Sequence, residues 1–186
     1  PARTVQLVAQ VQASDGRAAA ATSARIVRQG DLKEVAGFSS WRYDFVFNGP
    51  IDPSVLAGMQ MNPAMSEMMQ LELSVTGNSW LVPDMPGQAE LTGFLDSMAA
   101  NRISLGQLAG PMGSLLSPGL SAGLTGLLAD LTREGFPMHT SGNATVKSSM
   151  EGQMAMLVEG TLLGLGIPTQ FASETSVNSV STAEVS

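Results

Sequence analysis

A chain of 186 residues, 44% of them hydrophobic, is long enough to form one domain with a sizeable core. Its net charge of −7 excludes a general nucleic-acid surface, which needs clustered Lys and Arg against phosphate. It has no cysteine, so disulfides, thiol catalysis and Cys-ligated zinc are excluded too.

Residues 4–12 alternate, with Val5, Leu7, Ala9 and Val11 on one face, which predicts a strand ended by the turn Asp15-Gly16. A second extended run covers about 22–29, punctuated by Gly30-Asp31. Residues 1–42 hold six of the nine basic residues (Arg3, Arg17, Arg25, Arg28, Lys33, Arg42), and the rest of the chain is acidic. A solvated basic face explains this; a docking patch for an acidic partner or for anionic lipid headgroups is the functional alternative. Residues 41–47 put Trp41, Tyr43, Phe45 and Phe47 on one face of a strand that Asn48-Gly49-Pro50 ends.

Residues 51–69 lean towards helix, with Asn62-Pro63 as its start and Met65, Met68 and Met69 at helical spacing. A hairpin is expected next: Leu71, Leu73 and Val75 lead to a Gly77-Asn78 turn, and Trp80-Leu81-Val82 returns. Leu91, Phe94, Leu95 and Met98 then recur at the spacing of an amphipathic helix over 87–100. From Ile103 to Ala129 there is no charge; Pro111, Pro118 and frequent glycines break the run, so a pair of apolar helices is expected rather than a membrane span. These end at a Gly135 cap.

Period 2 returns from Phe136, with Gly142-Asn143 as a turn. Met154, Met156 and Val158 are read as a further strand, Gly160–Pro168 as a loop and 171–180 as the last strand. Strands first, helices in the middle and strands last predict an α+β fold, a curved antiparallel half-barrel wrapped over a few apolar helices. The whole of residues 1–186 is expected to form one such domain, with the apolar helical insert at about 103–131.

Two steps in the chain carry a resemblance. Trp80-Leu81-Val82-Pro83-Asp84 opens a helix after a strand, and Arg133-Glu134-Gly135-Phe136-Pro137-Met138 leads back into the sheet, with Ile167-Pro168 before the last strands. Over roughly residues 41–186 this pattern resembles the bacterial lipoprotein-carrier-like families, which include the periplasmic lipoprotein localisation factors and mycobacterial lipid-carrying lipoproteins. The long Gly/Met/Leu insert and the first 40 residues depart from it. The resemblance implies a half-barrel that holds an acyl chain or a hydrophobic peptide segment.

No catalytic constellation is visible. His139 is the only histidine, no Gly-x-Ser-x-Gly elbow accompanies it, and the carboxylates Asp84, Glu90 and Asp96 are scattered. The glycine-rich stretch lacks the Lys-Ser/Thr of a phosphate loop, and no cofactor is expected. The chain has 12 Met, with Met59, Met61, Met65, Met68 and Met69 clustered; thioethers suit Cu(I), yet neither His nor Cys stands with them, so no metal site is assigned. Core packing or an adaptable apolar groove accounts for them better.

The expectation is therefore an exported, non-catalytic protein of a bacterial periplasm or cell surface, with a signal peptide or a lipid anchor as questions for the precursor's start. It would bind a lipid or acyl chain, or a hydrophobic segment of another envelope protein, with peripheral membrane contact and self-association as further partners' modes. Trp41, Tyr43, Phe45, Leu73, Trp80, Phe94, Leu95, Leu116, Leu124 and Leu128 would line the cavity. The alternative is a structural subunit of a cell-surface assembly that pairs through an exposed strand edge.

Overall fold

The computed structural model describes residues 4–7, 22–52, 71–100, 117–148, 153–164 and 169–177. Among the described residues, six strands form one antiparallel sheet in sequence order: β1 (Thr4–Leu7), β2 (Ser23–Val35), β3 (Phe38–Pro50), β4 (Leu71–Val82), β5 (Phe136–Ser148) and β6 (Gln170–Ser176). Three described helices accompany them: α1 (Gln88–Ala100), α2 (Pro118–Glu134) and α3 (Gln153–Gly164). The sheet is open and half-barrel-like, and the fold is α+β.

Strand β2 does not stop at Gly30-Asp31. The register slips between Arg28 and Leu32 as a bulge, and Arg42 opposite it reaches Asp31 at 3.8 Å and Asp44 at 2.9 Å. The strand turns instead at Ala36-Gly37, where both φ angles are positive, 49° and 83°, as a two-residue hairpin requires.

The expected turns at Gly77-Asn78 and Gly142-Asn143 are also corrected: both pairs lie inside the long strands β4 and β5. Gly77 stands opposite Gly142 on one side and Phe45 on the other. A Cβ on Gly77 would come within 2.3 Å of the Ser141 carbonyl oxygen and 2.6 Å of the Phe45 ring. These glycines serve a close approach of strands under an aromatic ring.

The helix-bearing face of the sheet carries the core. Ile26, Tyr43, Phe45, Phe47, Leu71 and Leu73 point to it at period 2, and Leu81, Ala144 and Val146 complete the sheet side. Helix α2 answers with Leu120, Leu127 and Leu131, and α3 with Val158 and Leu162. Pro118 begins α2 rather than interrupting it; Ser117 caps it by accepting from the Leu120 N–H at 3.3 Å. Gly135 follows the helix and its N–H donates to the Leu131 carbonyl. Helix α1 lies along α2, where Thr92 donates to Thr132 at 3.0 Å and Gln88 donates to the Thr132 carbonyl at 2.8 Å.

The segment containing Met154, Met156 and Val158 is a helix, not a strand, and the helix runs on through the expected loop to Gly164. The helix-leaning stretch 53–69, the first half of the apolar insert and Ile167-Pro168 lie outside the described residues. Trp80–Asp84 does lead from strand into α1, and Gly135-Phe136-Pro137 leads from α2 into β5.

Candidate functional site

Among the described residues, the side chains expected to line an apolar cavity pack largely on one another. Of the ten residues expected to line it, Tyr43, Phe45 and Leu73 are buried in the main core, with Trp41 and Leu124 packed against its margin. Leu95 is buried on α1, and Leu116 lies outside the described residues.

Three of the ten fall elsewhere. Trp80 pairs with Arg42 and His139, so strict alternation puts it on the opposite face of the sheet from Leu81. There Lys33 sits over its ring, 5.6 Å from the centroid. Phe94 is 60% exposed, because α1 packs through the stripe Gln88–Thr92–Leu95 and Phe94 lies about 100° round the helix from Leu95. Leu128 is exposed on α2.

The helix layer thus presents apolar side chains outwards. The strongest case is α3, in which Val158 and Leu162 are buried while Met156, Leu157 and Leu163 are 75%, 54% and 62% exposed. An isolated surface helix ordinarily keeps polar residues on its wet side. Among the exposed residues from 156 to 164 only Glu159 is charged. Sequence reading missed this helix, although Val158 and Leu162 stand four residues apart, one helical turn. Among the described residues no helix is long and apolar enough to cross a membrane.

At the other end of the core a polar cluster ties α2 to the sheet. The Tyr43 hydroxyl donates to Glu134 Oε2 at 3.2 Å, and the Arg28 guanidinium lies 4.0 Å from the centre of the Trp41 ring. Burial first, and then the Glu134 carboxylate, hold the Tyr43 phenol above its ordinary pKa, against a smaller pull from Arg28. Arg133 bridges the helices by pairing with Asp96 on α1 and Asp130 on its own helix.

The face of the sheet opposite α2 and α3 carries polar residues beside β6. Thr76, Asn78, Ser141, Asn143 and Glu174 surround an open depression of about 390 Å³. Beside it His139 Nδ1 is 2.8 Å from Ser176 Oγ, and Nε2 is 3.7 Å from Glu174. The composition is that of a nucleophile, base and carboxylate, but Glu174 is 71% exposed. Water screening at that distance leaves the carboxylate little hold on the ring. Among the described residues no three His, Asp or Glu side chains converge as a metal site.

Comparison with known proteins gives no match, whether with protein families, curated proteins or solved structures.

Proposed function

We propose that this chain is a non-catalytic binding protein that takes up an acyl chain, or an apolar segment of another protein, beneath its helix layer, with α3 as the movable cover. The observation that carries this reading is α3 itself: it buries Val158 and Leu162 and still leaves Met156, Leu157 and Leu163 exposed beside a single charge, Glu159. Such a helix gains from an apolar ligand or partner laid against it.

The magnitudes permit exchange. Releasing Val158 and Leu162 from the core costs roughly 1.5–3 kcal/mol each. A bound chain recovers about 0.8 kcal/mol per buried CH₂, so about four to eight methylenes offset the opening. A longer chain binds with a surplus and needs no polar motif to hold it. The low charge and the absence of cysteine agree with an extracytoplasmic site of action, in a bacterial envelope on the resemblance described above.

Native mass spectrometry of gently purified protein tests the reading. An added mass in the range of a fatty acid or phospholipid, displaced by excess oleate, is the expected result. A bare polypeptide mass that stays bare after incubation with oleate counts against it.

A further inference from the structure

Strand β6 ends the sheet, and the phase of its hydrogen bonds shows what it leaves open. Val177 donates its N–H to the Met138 carbonyl at 2.8 Å, and Val146 donates to the Thr169 carbonyl at 3.0 Å. Odd-numbered residues of this segment therefore bond to β5. Alternation turns the N–H and C=O groups of Gln170, Ala172, Glu174 and Ser176 away from it. Ala172 to Ser176 are all exposed. Lysine and proline, which usually guard such an edge, are absent from 170–176, and Glu174 is the single charge.

We infer that β6 pairs with β6 of a second copy of this chain, antiparallel and two-fold about Ser173, joining two sheets into one of twelve strands. The register decides the partner. About this centre Gln170 faces Ser176 and Ala172 faces Glu174, and all four present outward backbone groups to one another. Glu174 then meets a methyl group rather than its own copy, so the lone charge does not oppose association. Centred on Glu174 itself, the same pairing would set two carboxylates face to face, which like-charge repulsion disfavours. Among the registers that keep the carboxylates apart, the one about Ser173 alone pairs all four outward residues of β6 with one another. An extended peptide from another protein would gain the same backbone bonds but has no such reason to fit. This inference is independent of the ligand proposed above.

The absence of cysteine makes the register directly testable. Ser173 would sit opposite its own copy as a non-hydrogen-bonded pair, with Cα atoms about 4.5 Å apart, within disulfide range. Thr175 would face Phe171 instead. Under mild oxidation Ser173→Cys should cross-link to a dimer and Thr175→Cys should not. Sedimentation equilibrium of the unmodified full chain should show a monomer–dimer equilibrium. Ala172→Pro removes an outward N–H and should abolish the dimer, its fold checked by circular dichroism. Ala172→Glu sets carboxylates opposite Glu174 twice and should weaken association about tenfold; Ala172→Lys should tighten it. A monomer at every concentration without cross-linking overturns the inference. So does equal cross-linking at both positions, or a dimer indifferent to all three changes at residue 172.

Discussion

Two glycines show how differently the same residue acts at two places. A methyl group on Gly77 would press on the backbone of Ser141 and Gly142 and on the Phe45 ring, none of which can retreat without breaking the sheet. Gly77→Ala should destabilise by about 1–3 kcal/mol, towards the upper end, in urea unfolding. Gly126 lies inside α2 with nothing within 4 Å of its added Cβ. There the helical preference of alanine is unopposed, and Gly126→Ala should stabilise by about 0.5–1 kcal/mol. Asp130 offers a pH test. Burial lifts its pKa above the ordinary carboxylate value, and Arg133 only partly counters this. The folded chain therefore holds that proton more tightly than the unfolded chain. The group's contribution is fully present below the unfolded pKa and is lost as pH rises through the folded one. Asp130→Asn should leave the melting temperature at pH 7 unchanged or higher. It should also flatten the fall in stability just above the ordinary carboxylate pKa of about 4.

At the scale of elements, the buried and exposed residues of α3 separate stability from the proposed binding. Leu162→Ala opens a hole in the core and should cost about 2–5 kcal/mol, with faster amide exchange in α3 than in α2. Leu163→Ser removes only exposed surface and should change stability by less than about 0.5 kcal/mol in the same denaturation series. The elements also show what a linear chain discloses. The aromatic alternation of 41–47 and the helical spacing of 91–98 were legible because each pattern is local. Gly77-Asn78 and Gly142-Asn143 have the composition of turns, and nothing local distinguishes a turn from two glycines facing each other across strands. That distinction exists only once β4 and β5 are paired. The expected turn at Gly77-Asn78 sets Trp80 opposite Val75, on the face of Leu73, whereas the continuous strand gives Trp80 the parity of Asn78 and turns it to the other face. In α3 the run Met156-Leu157-Val158 has no polar breaks, so period 2 and period 3.6 could not be told apart by burial pattern alone.

At the scale of the molecule, the same half-barrel supports two separate surfaces, an apolar helix layer on one face and an open strand edge at one side. The helix layer was legible as a charge-free, Leu-rich middle, but its state was not. Sequence pattern predicts which residues are apolar, and only packing decides whether they line a space or fill it. Here, among the described residues, Leu120, Leu127, Leu131, Val158 and Leu162 pack against the sheet, so the proposed ligand would have to displace a helix. The most direct test of the central claim is a titration of a fluorescent fatty acid into the intact chain and into a Met156→Ser/Leu157→Ser/Leu163→Ser variant. Saturable binding by the unmodified protein, weakened at least tenfold in a variant that melts at the same temperature, is the predicted result. Equal binding by both proteins, or none by the unmodified one, would contradict it.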